Sequence, residues 1–487
     1  MKVLPINPAE NASPDALQAF LVQCRDDAAS AGRPKLVSIS LAVDALDPLA
    51  VLESIFEPTE PHFYSERPDI ESAIAGAEIA VAHEANGPNR FASVQRFIDE
   101  TLANTIAVGA VTAPFGGPHF FASFAFHQES EPGEPFPAAS VFVPRWQVAR
   151  AGATTTAVAN LLVAPESNVA ALAERVWRAH GKFRNFHYAV NNTSVVSRAE
   201  AAPPPGEARS EGGVTPTITT RELGDYRTAV GRGLERIESG EFRKIVLARA
   251  IDLAASEPLH PLRVLNGLRQ RFPNCYSFSR ANGRGQSFIG ASPERLVRVS
   301  KGALETEALA GSARRGATAS EDAALASALL ASEKDLREQK EVIDDIVARL
   351  NPLGLVLDVP PRPEVRRLAN VQHLWTRVRA ALPESVRLLD VVAALHPTPA
   401  VGGSPRDPAV ARIREIEGFP RGLYAGAVGW LNARGGGEFF VGIRSALIDG
   451  ATARVYAGAG IVAGSIPDKE FAETELKSKA MLDALFT

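Results

Sequence analysis

Residues 456–477 read YAGAGIVAGSIPDKEFAETELK. Three glycines, Gly458, Gly460 and Gly464, precede a helix-start signature: Ser465 as N-cap, Pro467 inside the first turn and Asp468 completing the cap. The helix then carries Glu470, Glu473 and Lys477 at i, i+3 and i+7, on one face. The run Gly458–Gly464 is expected to form a tight turn whose backbone N–H groups approach a ligand closely. Two carboxylates near a helix start, with a lysine one turn on, have the donors to hold a hard divalent cation and an anionic ligand together. The same face also reads as solvated Glu–Lys pairs, and these residues alone leave both readings open.

Working outward, Tyr424–Leu431, Glu438–Ile448 and Ala453–Ala457 are expected as three successive strands before that turn. Further upstream, Asp225–Ser239 reads as a helix and Lys244–Leu253 as a strand. Cys275–Arg280 and Gln286–Gly290 read as strands feeding Ala291-Ser292-Pro293-Glu294. Thr318–Leu350 reads as one long helix, opened by the capping box Thr318-x-x-Glu321 and followed by Pro352. In the first 200 residues Asp15–Ala29, Ser93–Ala107 and Val169–His180, with Gly181 to stop it, read as helices. Leu36–Val43 and His119–Phe126 read as strands. The segment 198–217, RAEAAPPPGEARSEGGVTPT, has no apolar periodicity and reads as a linker or long loop. It divides a supporting portion, 1–197, from a signal-dense portion, 218–487.

Composition narrows the class. At 487 residues with 45% apolar side chains the chain can bury a large core or two. Lys plus Arg total 52 and Asp plus Glu 56, a net charge of -4, which argues against nucleic acid or an anionic membrane recognised by bulk charge. Two cysteines, Cys24 and Cys275, build neither a disulfide framework nor a four-cysteine zinc site. With no signal-peptide pattern and no uncharged apolar stretch of about 18 residues, a cytoplasmic location is expected.

Several side chains stand where chemistry is possible. Glu338 heads a partly apolar helix face with Val342 and Ile346, where a carboxylate calls for a cation or donors; an exposed helix edge is the plain alternative. Glu294 follows a strand in GASPERL and becomes a general acid if burial raises its pKa; otherwise it is a turn carboxylate. Lys244 opens the apolar strand KIVLA, as a base in dry surroundings or as a lysine snorkelling to water. Arg444, within FFVGIRSALI, calls for a carboxylate or phosphate partner. His373 and His396 sit beside apolar residues, as core histidines usually do.

Taken in order, KIVLAR, GASPERL, ALAGSARRG, SEKDLREQKEV, LHPTPAVGGSP, GLYAGAVGW, FVGIRSA and the opening segment resemble the chorismate-utilising enzymes. That family includes anthranilate, aminodeoxychorismate, isochorismate and salicylate synthases. The resemblance spans about Asp225–Leu485 and is loose before it. It implies an α+β class: a large duplicated chorismate-binding fold of antiparallel sheets packed together and flanked by helices. It implies chorismate as substrate, Mg²⁺ as cofactor, and no obligatory protein partner. By resemblance Glu338 and Glu473 are the metal ligands, with Glu470 reaching the metal through water. Gly458, Ala459 and Gly460 surround the ring carboxylate beside Lys477. Arg444, near Tyr456, grips the enolpyruvyl carboxylate. Ala310, Gly311 and Ser312 line the ring, and His373 lies near the departing groups. One departure is visible: family members carry Glu-His at the metal glutamate, where this chain has Glu338-Gln339.

The branches of the family differ in nucleophile. Lys244 stands where isochorismate and salicylate synthases have the lysine that activates water, and where anthranilate synthases have glutamine. Ala310 replaces the nucleophilic lysine of aminodeoxychorismate synthases. Salicylate synthases carry a threonine where this chain has Ala400 in AVGGSPR. The pattern resembles isochorismate synthases, with salicylate synthase and an ammonia-using synthase component as the alternatives. The implied reaction has neutral Lys244 deprotonating water at C2 while protonated Glu294 gives its proton to the departing C4 hydroxyl. Desolvation favours both of those starting forms.

Overall fold

The structure is a computed structural model describing residues 1–4, 13–179, 218–368 and 371–486. The linker expected over 198–217, and the helix end expected at His180 and Gly181, lie outside the described residues. The fold is mixed α+β, built on a large and mainly antiparallel sheet. Among the described pairings, only those of Thr105–Gly109 with Lys2–Val3 and with Lys35–Val43 are parallel.

One continuous path of hydrogen-bonded strands explains how the two portions join. It starts at Glu364–Arg367 and passes through Val371–Ala381, Ala303–Arg314, Arg295–Ser300, Gly437–Val441 and Ala427–Asn432. It then enters the N-terminal portion at His119–Phe124, which pairs with the long strand Ala139–Ala151. From there it runs through Ser72–Ala85 and Pro61–Arg67, and returns to the C-terminal portion at Tyr276–Asn282. Gln286–Ser292, Ser445–Asp449, Thr452–Val462 and Lys244–Ala255 complete it. The first 200 residues therefore supply the strands that connect two runs of the C-terminal sheet.

The main core joins both portions. Phe63 and Phe121 stack at 4.4 Å between ring centroids, and Phe278 and Phe440 meet at 4.9 Å in the same cluster. Each such buried aromatic contributes about 1.5–3 kcal/mol over leaving it in water. Helices cover the outer faces and are locally encoded. Tyr226–Glu238 starts where the Asp225 carboxylate accepts from the N–H groups of Arg227 and Thr228. No helix among the described residues is long and apolar enough to cross a membrane.

The structure departs from the sequence expectations at four places. The helix expected over Thr318–Leu350 is two helices, Ala319–Ala331 and Glu333–Leu350. Ser332, extended at φ -75° and ψ 109°, ends the first and caps the second through Asp335 N–H. The strand expected over Glu438–Ile448 is two, Gly437–Val441 and Ser445–Asp449, parted where Arg444 takes a positive φ of 52°. The helix expected over Ser93–Ala107 is Arg90–Ala103 and is followed by a strand. The glycine turn expected at Gly458–Gly464 is largely the end of the strand Thr452–Val462, and only Gly464 turns left-handed. Ser465 is correspondingly not the N-cap of the last helix. Ile466 is, with Pro467 first inside, and Ser465 Oγ accepts from Val462 N–H.

Candidate active site

The strand Lys244–Ala255 lies against Thr452–Val462 with Lys244 opposite Val462, Val246 opposite Gly460 and Ala248 opposite Gly458. The glycines act there by lacking side chains. A Cβ on Gly460 would stand 3.0 Å from Lys244 Cε, and one on Gly458 would stand 2.8 Å from the Tyr424 hydroxyl. Regular strand backbone, not a tight turn, brings those side chains into the cleft. Lys244, with 12% of its side chain exposed, donates to Glu338 Oε1 at 3.3 Å; Glu338 itself is 40% exposed.

Glu294 follows Ser292, whose hydroxyl accepts from the Glu294 N–H. Its Oε1 accepts from Thr398 Oγ1 at 3.3 Å. Burial raises its pKa to about 7, and the Glu307 charge adds to the rise. The Thr398 bond, Lys244 and Lys477 oppose it. The carboxyl therefore feels both lysines, which gathers Lys244, Glu294 and Lys477 at one site, the candidate cleft.

The last helix, Pro467–Leu485, brings Glu470, Glu473 and Lys477 to that cleft. Lys477 Nζ donates to Glu473 Oε1 at 2.5 Å and to the Gly458 carbonyl at 3.0 Å. Burial lowers the Lys477 pKa, against the raising effect of Glu473. Burial raises that of Glu470, and the neighbouring Glu473 charge adds to it. Arg444 is held by its strained backbone with Nη1 3.4 Å from the Lys477 carbonyl, and burial lowers its pKa. A half-buried guanidinium with no carboxylate bonded to it among the described residues suits a ligand carboxylate. Tyr456 stacks on Tyr424, centroids 4.9 Å apart, and burial raises its pKa to about 12.

A β-bulge separates Ala310 from Ser312 in the strand Ala303–Arg314. Gly311 sits there at φ 61°, where a Cβ would meet Asp335 at 2.9 Å. Ser312 Oγ and His373 Nδ1 lie 2.9 Å apart, and burial lowers the His373 pKa to about 4, with Arg444 and Lys477 acting the same way. His373 is thus neutral near pH 7 and faces the same cations. Ala400 stands on the turn two residues after Thr398. His396 is a core histidine, its Nε2 3.2 Å from the Ala125 carbonyl.

Three contributors were not singled out from sequence. Thr398 lies inside the quoted LHPTPA, but its partner Glu294 is 104 residues away. Arg421 is buried, pairs with Glu417 at 2.5 Å, and donates to the carbonyls of Val246 and Val401, bracing the strand of Lys244 and the loop of Ala400. Gln339, noted only as a departure, is buried and donates to the Ala308 carbonyl and Thr376 Oγ1 at 3.0 and 2.9 Å. It ties the helix of Glu338 to the strand of Ala310.

The described residues contain no group of three His, Cys, Asp or Glu side chains already gathered for a metal. The donors offered are hard carboxylate oxygens on the helices Glu333–Leu350 and Pro467–Leu485, partly exposed and held by lysines. That set fits Mg²⁺, which keeps several waters and binds through one or two carboxylates plus an anionic substrate.

The chain belongs to the chorismate-binding enzymes, whose family model matches residues 19–486. It is 33% identical over 473 residues to the salicylate biosynthesis isochorismate synthase of Pseudomonas aeruginosa, covering 96% of this chain and 94% of that protein. It is 30% identical to isochorismate synthase MenF of Bacillus subtilis, covering 92% and 93%. Among solved structures it resembles MenF, the menaquinone-specific isochorismate synthase from Escherichia coli, with a TM-score of 0.74, 28% identity and coverage of 96% and 99%.

Proposed function

We propose that this enzyme is an isochorismate synthase, converting chorismate to isochorismate by attack of water at C2 and loss of the C4 hydroxyl. The observation that carries the reading is Glu294, a buried carboxyl with its pKa raised to about 7, close enough to Lys244 to feel its charge. An acid poised near neutrality opposite an amine is the pairing that proton-balanced hydration and dehydration needs. The full-length likeness to two named isochorismate synthases supports it.

Lys244 accepts a proton from the attacking water, which requires its pair with Glu338 to open. The water oxygen bonds to C2, the ring double bonds shift, and the C4 oxygen leaves as water with the proton from Glu294. One water enters and one leaves, so the reaction is an isomerisation. Arg444 holds the enolpyruvyl carboxylate and Lys477 the ring carboxylate, fixing the ring between base and acid. Ala310, Gly311 and Ser312 wall the ring, and neutral His373 lies beside the departing oxygen. Glu338, Glu473 and Glu470 would hold Mg²⁺, which would supply Lewis-acid neutralisation of the ring carboxylate.

The test is product analysis of purified enzyme with chorismate and Mg²⁺, without ammonia. Isochorismate approaching a steady mixture with chorismate is the expected result. Salicylate with pyruvate moves the assignment to the lyase branch and puts Ala400 at issue. Product that requires ammonia moves it to the amination branch.

A further inference from the structure

A second cavity, of about 220 Å³, opens in the N-terminal half of the sheet, between Ser72–Ala85, Ala139–Ala151 and Tyr276–Asn282. Among its polar lining residues Arg280 is a buried cation, 6% exposed. The guanidinium lies over the Phe142 ring at 4.7 Å and within 5.9 Å of the Phe136 ring. One nitrogen donates to the Ala281 carbonyl, another reaches Ser140 Oγ at 3.5 Å, and Nε has no partner among the described residues. None of these contacts is a carboxylate. The acid whose charge Arg280 feels is Glu84, an exposed residue at the cavity wall.

A buried cation without a counter-ion is costly, and its planar fork matches a carboxylate. Desolvation lowers the Arg280 pKa to about 10. The rest of the wall mixes apolar groups, Phe136, Phe142, Val141 and three prolines, with the polar side chains of His83, Ser140 and Asn282. An apolar cavity of about 150 Å³ holds a benzene ring, so this one has room for a ring and a carboxylate. Glu84 disfavours a doubly charged anion there and favours a monoanion. The exposed Arg284, donating to the Pro135 carbonyl at 2.6 Å, adds positive charge at the same wall.

We propose that this cavity binds a small aromatic monocarboxylate of benzoate size, its carboxylate on Arg280 and its ring against Phe136 and Phe142. The site is separate from the catalytic cleft and involves none of its residues.

Benzoate is the probe, titrated into the full-length protein by calorimetry. Saturable binding is expected, weakened at least tenfold in Arg280→Met and changed less than twofold in Arg444→Ala. Should Arg280→Met not fold, Arg280→Lys keeps the charge without the fork, and Arg284→Ala alters only the wall charge; the first is expected to lose at least fivefold and the second two- to fivefold. No saturable binding, or binding indifferent to Arg280, overturns the site. Binding lost in Arg444→Ala and kept in Arg280→Met places the carboxylate in the catalytic cleft and overturns it too. Inorganic phosphate binding more tightly than benzoate overturns the ligand class.

Discussion

Substituting Glu294 by Gln separates the catalytic from the structural consequences of one buried carboxyl. In the folded protein its pKa stands at about 7 against an ordinary value of 4.5. As the acid it must be protonated, which it is about 90% at pH 6 and about 10% at pH 8. The wild-type kcat/KM should therefore fall about tenfold across that interval, and Glu294→Gln should lose roughly 10²–10⁴-fold and lack that limb. Stability should fall in the same direction of pH. The folded state holds this proton more tightly than the unfolded chain, so this group's contribution to stability is fully present below pH 4.5 and is lost as pH rises through about 7. At 1.36 kcal/mol per unit the loss is about 3 kcal/mol at most, and it is absent in Glu294→Gln. The variant should gain on the wild type in thermal denaturation at pH 8 relative to pH 5. A flat wild-type rate profile between pH 6 and 8, or a variant within a few-fold of wild type, refutes the acid assignment. An unchanged stability difference between the two pH values refutes the burial argument.

Three further outcomes follow from the cleft. Lys244→Ala should abolish hydration while chorismate binding stays measurable by calorimetry; normal turnover removes the lysine from the base role. Glu473→Ala should shift the Mg²⁺ titration of activity to higher concentration, and an unshifted titration puts the ligand elsewhere. Gly460→Ala places a methyl 3.0 Å from Lys244 Cε, and the displaced lysine should lower kcat by roughly 10–100-fold with a smaller change in KM; wild-type kcat shows that the strand tolerates the methyl.

Local signals were legible where the chain's own neighbours decide the structure. The helix that begins after Asp225 and the helix carrying Glu470, Glu473 and Lys477 depend on contacts within a few residues, and the strand at Lys244 announces itself by its local apolar run. The glycine run was misread because glycine serves equally where backbone turns and where another side chain needs room; only the opposing strand distinguishes these. Ser332 was missed because helical periodicity resumes immediately after it. Arg444 was recognisable as an apolar-flanked arginine, but its left-handed backbone was not, since tertiary pairing on both sides imposes it. The joining role of Pro61–Arg67 and His119–Phe124 rests on partners more than 200 residues distant, which no local pattern contains. The same distance hid the Thr398–Glu294 bond. The cleft itself was visible mainly through eight ordered motifs, since each residue alone had an ordinary structural reading.

The central claim is that water attacks C2 while the original C4 oxygen departs. It is tested most directly by running the reaction in ¹⁸O-labelled water, with Mg²⁺ and without ammonia, and examining the earliest product by mass spectrometry. The account predicts isochorismate carrying one heavy oxygen at C2. Isochorismate without the label, its hydroxyl having migrated within the substrate, would contradict it.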